Sequence, residues 1–189
     1  MIRVGRVAQP GPFEEARKEG LAWLERNRDA ARPKDYWSPF KPVLADGFGM
    51  RCGYSAMYEP VGTVDHFVSV DEDRSLAYEW SNYRFASAWI NSSKKNAAGL
   101  LDPHEVEDEW FEILLPSLQL VVTDAVPEAE RAKAEYTLER LHLAHDERVI
   151  RQRREWYRMY QDGELSLEGL RKKAPLIARA VDRAKSTER

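Results

Sequence analysis

The chain has 189 residues, 43% hydrophobic and 32% charged, with a formal net charge of −3 and a single cysteine. That length carries one domain with a real core and is too short for two large ones. No apolar run approaches the roughly 20 residues that cross a bilayer, no apolar leader opens the chain, and Cys52 has no partner for an internal disulfide, so a cytoplasmic protein is expected.

The net charge hides a partition. Residues 1–51 carry 10 Lys/Arg against 7 Asp/Glu, residues 52–147 carry 7 against 19, and residues 148–189 carry 12 against 6. Basic ends around an acidic centre suit a protein whose flanks hold phosphates while its centre holds a cation. Basic helices are also ordinary solvated faces, and charge alone favours that plainer reading.

Pro10, Gly11 and Pro12 introduce a helical stretch from Phe13 to about Asp29, with Ala16, Leu21, Leu24 and Arg28 near one face. RPKDYWSPFKP follows, with three prolines, and reads as an aromatic-rich loop without regular structure. From Met50 the texture turns to extended pieces: MRCGYSAMY, a turn at Glu59-Pro60-Val61-Gly62, then TVDHFVSV, a hairpin-like signal. After the charged loop DEDRS, Tyr83 to Ser87 reads as a short strand and Ala88 to Asn96 as a short helix closed by Gly99. EWFEILLPSLQLVV suggests two strands joined near Pro116-Ser117.

Everything after Pro127 reads as helical. Ala134, Leu138 and Leu141 share one face, and Val149, Ile150, Arg153, Trp156, Tyr157 and Tyr160 line the next helix. Gly163 ends that helix, Ser166 can cap a short one, and Pro175 forces a restart. Three regions result: residues 1–49 with the N-terminal helix and aromatic loop, 50–125 with the extended core, and 126–189 with the C-terminal helices.

Chemistry-bearing residues gather between positions 65 and 94. Asp65 and His66 stand side by side at a strand end, Asn82 lies in the loop after Trp80, and Asn91 sits on the short helix with Lys94 behind it. Singly, each suits a structural role. Together they match what one-metal phosphodiester hydrolysis needs: a base for water, oxygen ligands for a divalent cation, and a group to orient the base. Asp65 can offer a carboxylate oxygen and Asn91 an amide oxygen to a hard cation such as Mg²⁺, and His66 is mostly neutral at pH 7.

The stretches VDHF, AYEWSNYRFA, INSSKKN and LLDPHEVEDEWFEI resemble the HNH endonuclease family, over Met50 to about Asp102. The resemblance implies an α+β fold: a small ββα-metal nuclease core with an N-terminal helix and a C-terminal helical bundle. It implies a DNA endonuclease with His66 as general base, Asp65 and Asn91 as ligands of Mg²⁺ or Mn²⁺, and Asn82 tying down the loop that places the histidine. Lys94 would contact phosphate, and Arg84 would face substrate or, by slight preference, solvent. The alternative is an inactive HNH-like module that binds nucleic acid or a partner protein in a bacterial defence or mobile-element system. No membrane contact is expected.

The sequence departs from the family where many members bind structural zinc through two Cys-x-x-Cys pairs. The corresponding positions here are Cys52, Ser55, Ser87 and Ile90, so a four-cysteine zinc site cannot form. Cys52 reads as a buried small apolar residue, and the aromatics Tyr54, Tyr58, Trp80, Tyr83, Phe85 and Trp89 are expected to replace the clip by burial. His104 with its acidic neighbours reads as solvated surface. His142 and His145 lie at a helix junction, where they could cap carbonyls. Arg151, Arg153, Arg154 and Arg158 read as surface or nucleic-acid contacts. No nucleotide-binding glycine loop and no serine or cysteine nucleophile motif is present.

Overall fold

The N-terminal helix, α1 (Phe13–Arg26), begins where Phe13 N–H reaches the Pro10 carbonyl, with Glu14 and Glu15 in its first turn and Arg26 in its last, matching the helix dipole. It stops short of Asp29 because Asn27 leaves helical geometry and its side-chain amide donates to the Trp23 carbonyl. The computed structural model describes residues 1–187. At Gly20 the Tyr78 ring lies 2.6 Å from where a Cβ would stand, so this glycine lets α1 dock closely on the 74–78 turn.

The proline-rich segment is more regular than expected. Residues 38–40 form a helical turn that leads into α2 (Lys41–Gly47). Pro42 starts this helix because a first-turn residue has no intrahelical use for an N–H. Leu44 and Ala45 are its buried face.

The hairpin expected between MRCGYSAMY and TVDHFVSV does not form. Arg51 meets Tyr58 in an isolated bridge, folding that segment on itself, with Ala56 at φ 57. The strand after Gly62, β1 (Thr63–His66), instead pairs antiparallel with β2 (Tyr83–Ala86). Gly62 itself has φ +40, and a Cβ there would fall 2.2 Å from the Phe85 ring. Long-range burial decides the pairing: Val64 opposes Phe85 and His66 opposes Tyr83, and three of these four enter the apolar cluster of Phe13, Leu44, Phe48 and Trp80. The next element, α3 (Ala88–Lys94), returns across β1, which completes a strand-strand-helix unit.

A second antiparallel pair, β3 (Phe111–Leu114) and β4 (Gln119–Val122), turns around Pro116-Ser117 as expected. Then come α4 (Glu128–Arg140), α5 (Glu147–Gln161), α6 (Leu167–Lys173) and α7 (Pro175–Thr187). Asp146 caps α5 and Ser166 caps α6, accepting from Gly169 N–H at 3.1 Å. The chain is thus a mixed α+β fold with two small sheets. Among the described residues no helix is long and apolar enough to cross a membrane.

Arg153 corrects an expectation about the C-terminal arginines. It is only 1% exposed, and its guanidinium donates to the carbonyls of Leu118 (3.0 Å), Leu143 (2.7 Å) and Ala144 (3.1 Å). Burial pushes its pKa down to about 10. It therefore binds the β3–β4 turn to the α4–α5 junction and is not available to nucleic acid.

Candidate functional site

The register of the β1–β2 ribbon sorts the candidate residues onto two faces, because neighbouring side chains on a strand point to opposite sides. Asp65 opposes Arg84 on the side that α3 covers, while His66 opposes Tyr83 on the other.

On the α3 side, Asp65 is 2% exposed. Its Oδ2 accepts from the Tyr54 hydroxyl at 2.5 Å, and its Oδ1 lies 3.1 Å from Lys94 Nζ. Burial, then the Asp65 charge, raises the Tyr54 pKa well above its ordinary value, so the phenol stays a donor. Lys94 Nζ also donates to the His66 carbonyl at 2.7 Å. Asn91, one turn before Lys94 on α3, brings Nδ2 within 3.5 Å of the Val64 carbonyl. Asp65, Asn91 and Lys94 are thus brought to one place by α3.

Their arrangement does not suit a divalent cation. The one carboxylate is sealed in the interior with an ammonium and a phenol on its two oxygens, so a dication would have to sit against the Lys94 charge. Among the described residues no group of three or more His, Cys, Asp or Glu stands together in a way that could hold a metal.

On the opposite face, His66 packs edge-on against Trp37 (ring centroids 4.7 Å apart) and Tyr83 (5.0 Å). Its Nε2 lies 2.8 Å from the Ala77 carbonyl, an acceptor that the Tyr83 hydroxyl also uses. A carbonyl cannot donate, so Nε2 carries the ring proton and Nδ1 keeps a lone pair. Nδ1 has no hydrogen-bond partner among the described residues and is not one of the buried polar atoms left without one. Burial lowers the His66 pKa below its ordinary value, with the Ala77 bond and Asp65 opposing that shift.

Asn82 holds the loop that supplies this carbonyl. Its Oδ1 accepts from Val68 N–H (2.8 Å), and its Nδ2 donates to the carbonyls of Val68 (2.9 Å) and Leu76 (3.2 Å). Asn82 is therefore a clamp across residues 68–76, one step from Ala77 and in no direct contact with His66.

Two expected substrate contacts are corrected. Arg84 is 2% exposed and forms a two-pronged pair with Asp102 at 2.7 and 2.5 Å, so it faces neither substrate nor solvent. Burial works to raise the Asp102 pKa, yet the Arg84 hydrogen bond and charge outweigh it and hold the carboxyl below the usual range. Lys94 is fully buried and cannot reach a phosphate.

The four positions where zinc ligands would stand are all buried, with Cys52 and Ile90 in the main apolar cluster. Tyr54 is buried in the same cluster, Trp80, Tyr83 and Phe85 are buried in the second one around Phe13 and Leu44, and Tyr58 and Trp89 are half-buried. His104 is also structural: its Nδ1 donates to the Val4 carbonyl, and its neighbours Glu105 and Glu107 pair with Arg6 and Arg3.

Sequence reasoning missed Tyr54, the Ala77 carbonyl and Asp102. Helix spacing gives a signal for a fourth, Lys95: Asn91 and Lys94 share the face turned to β1, so Lys95 comes to the side. A polar cleft of ≈ 670 Å³ opens there, lined by Thr63 and Asn91 among others, with Arg32 and Lys95 as its cations. A larger groove of ≈ 740 Å³ between β4 and α4 is lined by His142 and His145 with Glu135, Glu139 and Asp146, and contains none of Asp65, His66, Asn82, Arg84, Asn91 and Lys94. Comparison of the chain with protein-family models and with curated proteins finds no match.

Proposed function

We propose that the chain is a ββα-type endonuclease that hydrolyses phosphodiester bonds in DNA in the cytoplasm, with His66 as the base. One observation carries this reading: the Ala77 carbonyl 2.8 Å from His66 Nε2, in a loop that Asn82 fastens. That bond fixes the tautomer, and the free Nδ1 is the atom that can take a proton from water. As water attacks phosphorus, its proton passes to Nδ1, a new P–O bond forms, the bond to the leaving oxygen breaks, and that oxygen takes a proton from solvent. The HNH-like order of strand, strand and helix supports the same reading.

A second reading has its own observation. The Lys94–Asp65 ion pair uses the carboxylate on which the family's cation would depend, which favours a noncatalytic module that binds nucleic acid or a partner protein of a defence system. Plasmid incubated with purified protein in Mg²⁺, Mn²⁺ or EDTA, alongside His66→Ala, separates the two. The nuclease reading expects nicking that disappears in His66→Ala. Nicking that survives in the variant rejects His66 as base, and the absence of cleavage under every condition favours the binding module.

A further inference from the structure

We infer that the polar cleft beside α3 seats a backbone phosphate of a nucleic acid, held by Lys95 and Arg32; this rests on the reading of the chain as one that acts on nucleic acid. The cleft is lined by Thr63 from the start of β1, Ser69 from the following loop, and Asn91, Ser92, Lys95 and Asn96 from α3 and its end, with Arg32 across it. Hydroxyls, amides and two cations are the donor set that phosphate oxygens take. Asp71 is the one carboxylate on the rim, which leaves the cleft with a net positive charge.

Both cations are exposed, and among the described residues neither side chain makes an ion pair or a hydrogen bond. Arg3, Arg6, Arg17, Arg131, Arg148 and Arg171 have carboxylate partners, whereas Arg32 and Lys95 share their unpaired state with Lys18, Arg28 and Arg154 and differ from these in lining one polar cleft. Arg32 and Lys95 therefore remain open to an anion from outside.

The backbone at Lys95 is an independent observation. Lys95 ends α3 at φ 50, ψ −123, and Ala97 N–H donates to the Lys94 carbonyl at 3.0 Å. These are the values of the first central residue of a type II′ turn, a position that glycine takes and a side chain with a Cβ resists. Strain of this kind persists where the surroundings hold it in place. Here they do: Lys94 is anchored to Asp65 and to the His66 carbonyl, and Arg140 donates to the Lys94 carbonyl at 3.1 Å. The Lys-Lys pair thus divides its work, the first lysine fixing the turn from inside and the second presenting its ammonium at the cleft. Asn91 is shared between the cleft and the Asp65 neighbourhood, so a phosphate seated here lies on the α3 side of the ribbon, across the strands from His66.

The test is fluorescence anisotropy with labelled single-stranded DNA, duplex DNA and RNA of one sequence, in EDTA so that nothing is cleaved, across a series of KCl concentrations. Lys95→Gln and Arg32→Gln are each expected to weaken binding about tenfold and to lower the salt dependence by about one counterion. Lys95→Gly is expected to weaken binding equally while raising the thermal midpoint, because it relieves the turn. Lys18→Gln, an exposed lysine outside the cleft, is expected to leave binding unchanged. The strongest-binding arm identifies which nucleic acid supplies the phosphate. If the wild type binds and all three cleft variants bind as tightly, the cleft assignment falls and the nuclease reading stands. If the wild type binds none of the three probes, both fall.

Discussion

Lys94 Nζ lies 3.1 Å from Asp65 Oδ1, with 0% of one side chain and 2% of the other exposed. Removing one member leaves the other charge buried, which costs about 3–5 kcal/mol. Lys94→Ala is expected to lose stability on that scale in urea denaturation. Mg²⁺ is expected to recover part of the loss in the variant, where Asp65 has no ammonium, and to leave the wild-type midpoint unmoved. A Mg²⁺ response of equal size in both proteins would mean that Lys94 does not block Asp65.

Asn82→Ala removes three hydrogen bonds that span residues 68–76. The partly buried backbone groups left behind make a loss of about 1–3 kcal/mol the expected result. Under the nuclease reading, cleavage should fall more than the folded fraction does, because the Ala77 carbonyl is no longer held against His66. Nicking rate normalised to folded protein is the measurement.

Arg84→Lys keeps the charge and loses the fork. A single ammonium cannot reproduce the two parallel bonds to Asp102 in a dry site. Lysine is therefore expected to rescue little of the loss seen with Arg84→Met, about 3–5 kcal/mol by the cost of breaking a buried pair. Denaturation midpoints of both variants check this.

The pH dependence of stability follows from His104 and Asp102. Burial lowers the His104 pKa from its ordinary 6.5, so the unfolded chain binds the proton more readily than the folded one. The contribution is present above 6.5 and is lost as pH falls from there toward the folded value. Asp102 is held below its ordinary 3.8, so its contribution lasts to lower pH and disappears as pH falls through the folded value. Urea midpoints should decline as the solution is acidified below neutrality and decline again at strong acidity. His104→Gln should reduce the first decline, leaving the parts due to His66 and to the buried Met1 amine, whose pKa burial lowers to about 4; both shifts have the same sign.

Local signals made part of this legible in the sequence. The restart at Pro175, the Ser166 cap and the turn at Pro116-Ser117 are written in adjacent residues, and so are the short strand at Tyr83 and the helix after Ser87. The partner of β1 is not, because Val64 finds Phe85 across a long loop while the neighbouring 51–58 segment closes on itself. Helix α2 was hidden by Pro42, a residue that breaks helices everywhere except the first turn. In the candidate site, the positions of Asp65, His66, Asn82 and Asn91 were readable, but the pairings were not. That Lys94 turns inward and Arg84 reaches Asp102 depends on burial and on charges brought together by the fold, which no periodicity records.

The Arg84–Asp102 pair sets the limits of what could be transplanted. A graft of residues 63–94 onto a new scaffold would import a desolvated guanidinium whose acceptor was left behind. Cutting beyond Val106 takes along Asp102 and the turn in which Glu105 and Val106 N–H groups return to its carbonyl. The downstream limit of any portable piece of this molecule is therefore set by a counter-charge and lies well after the last residue of α3.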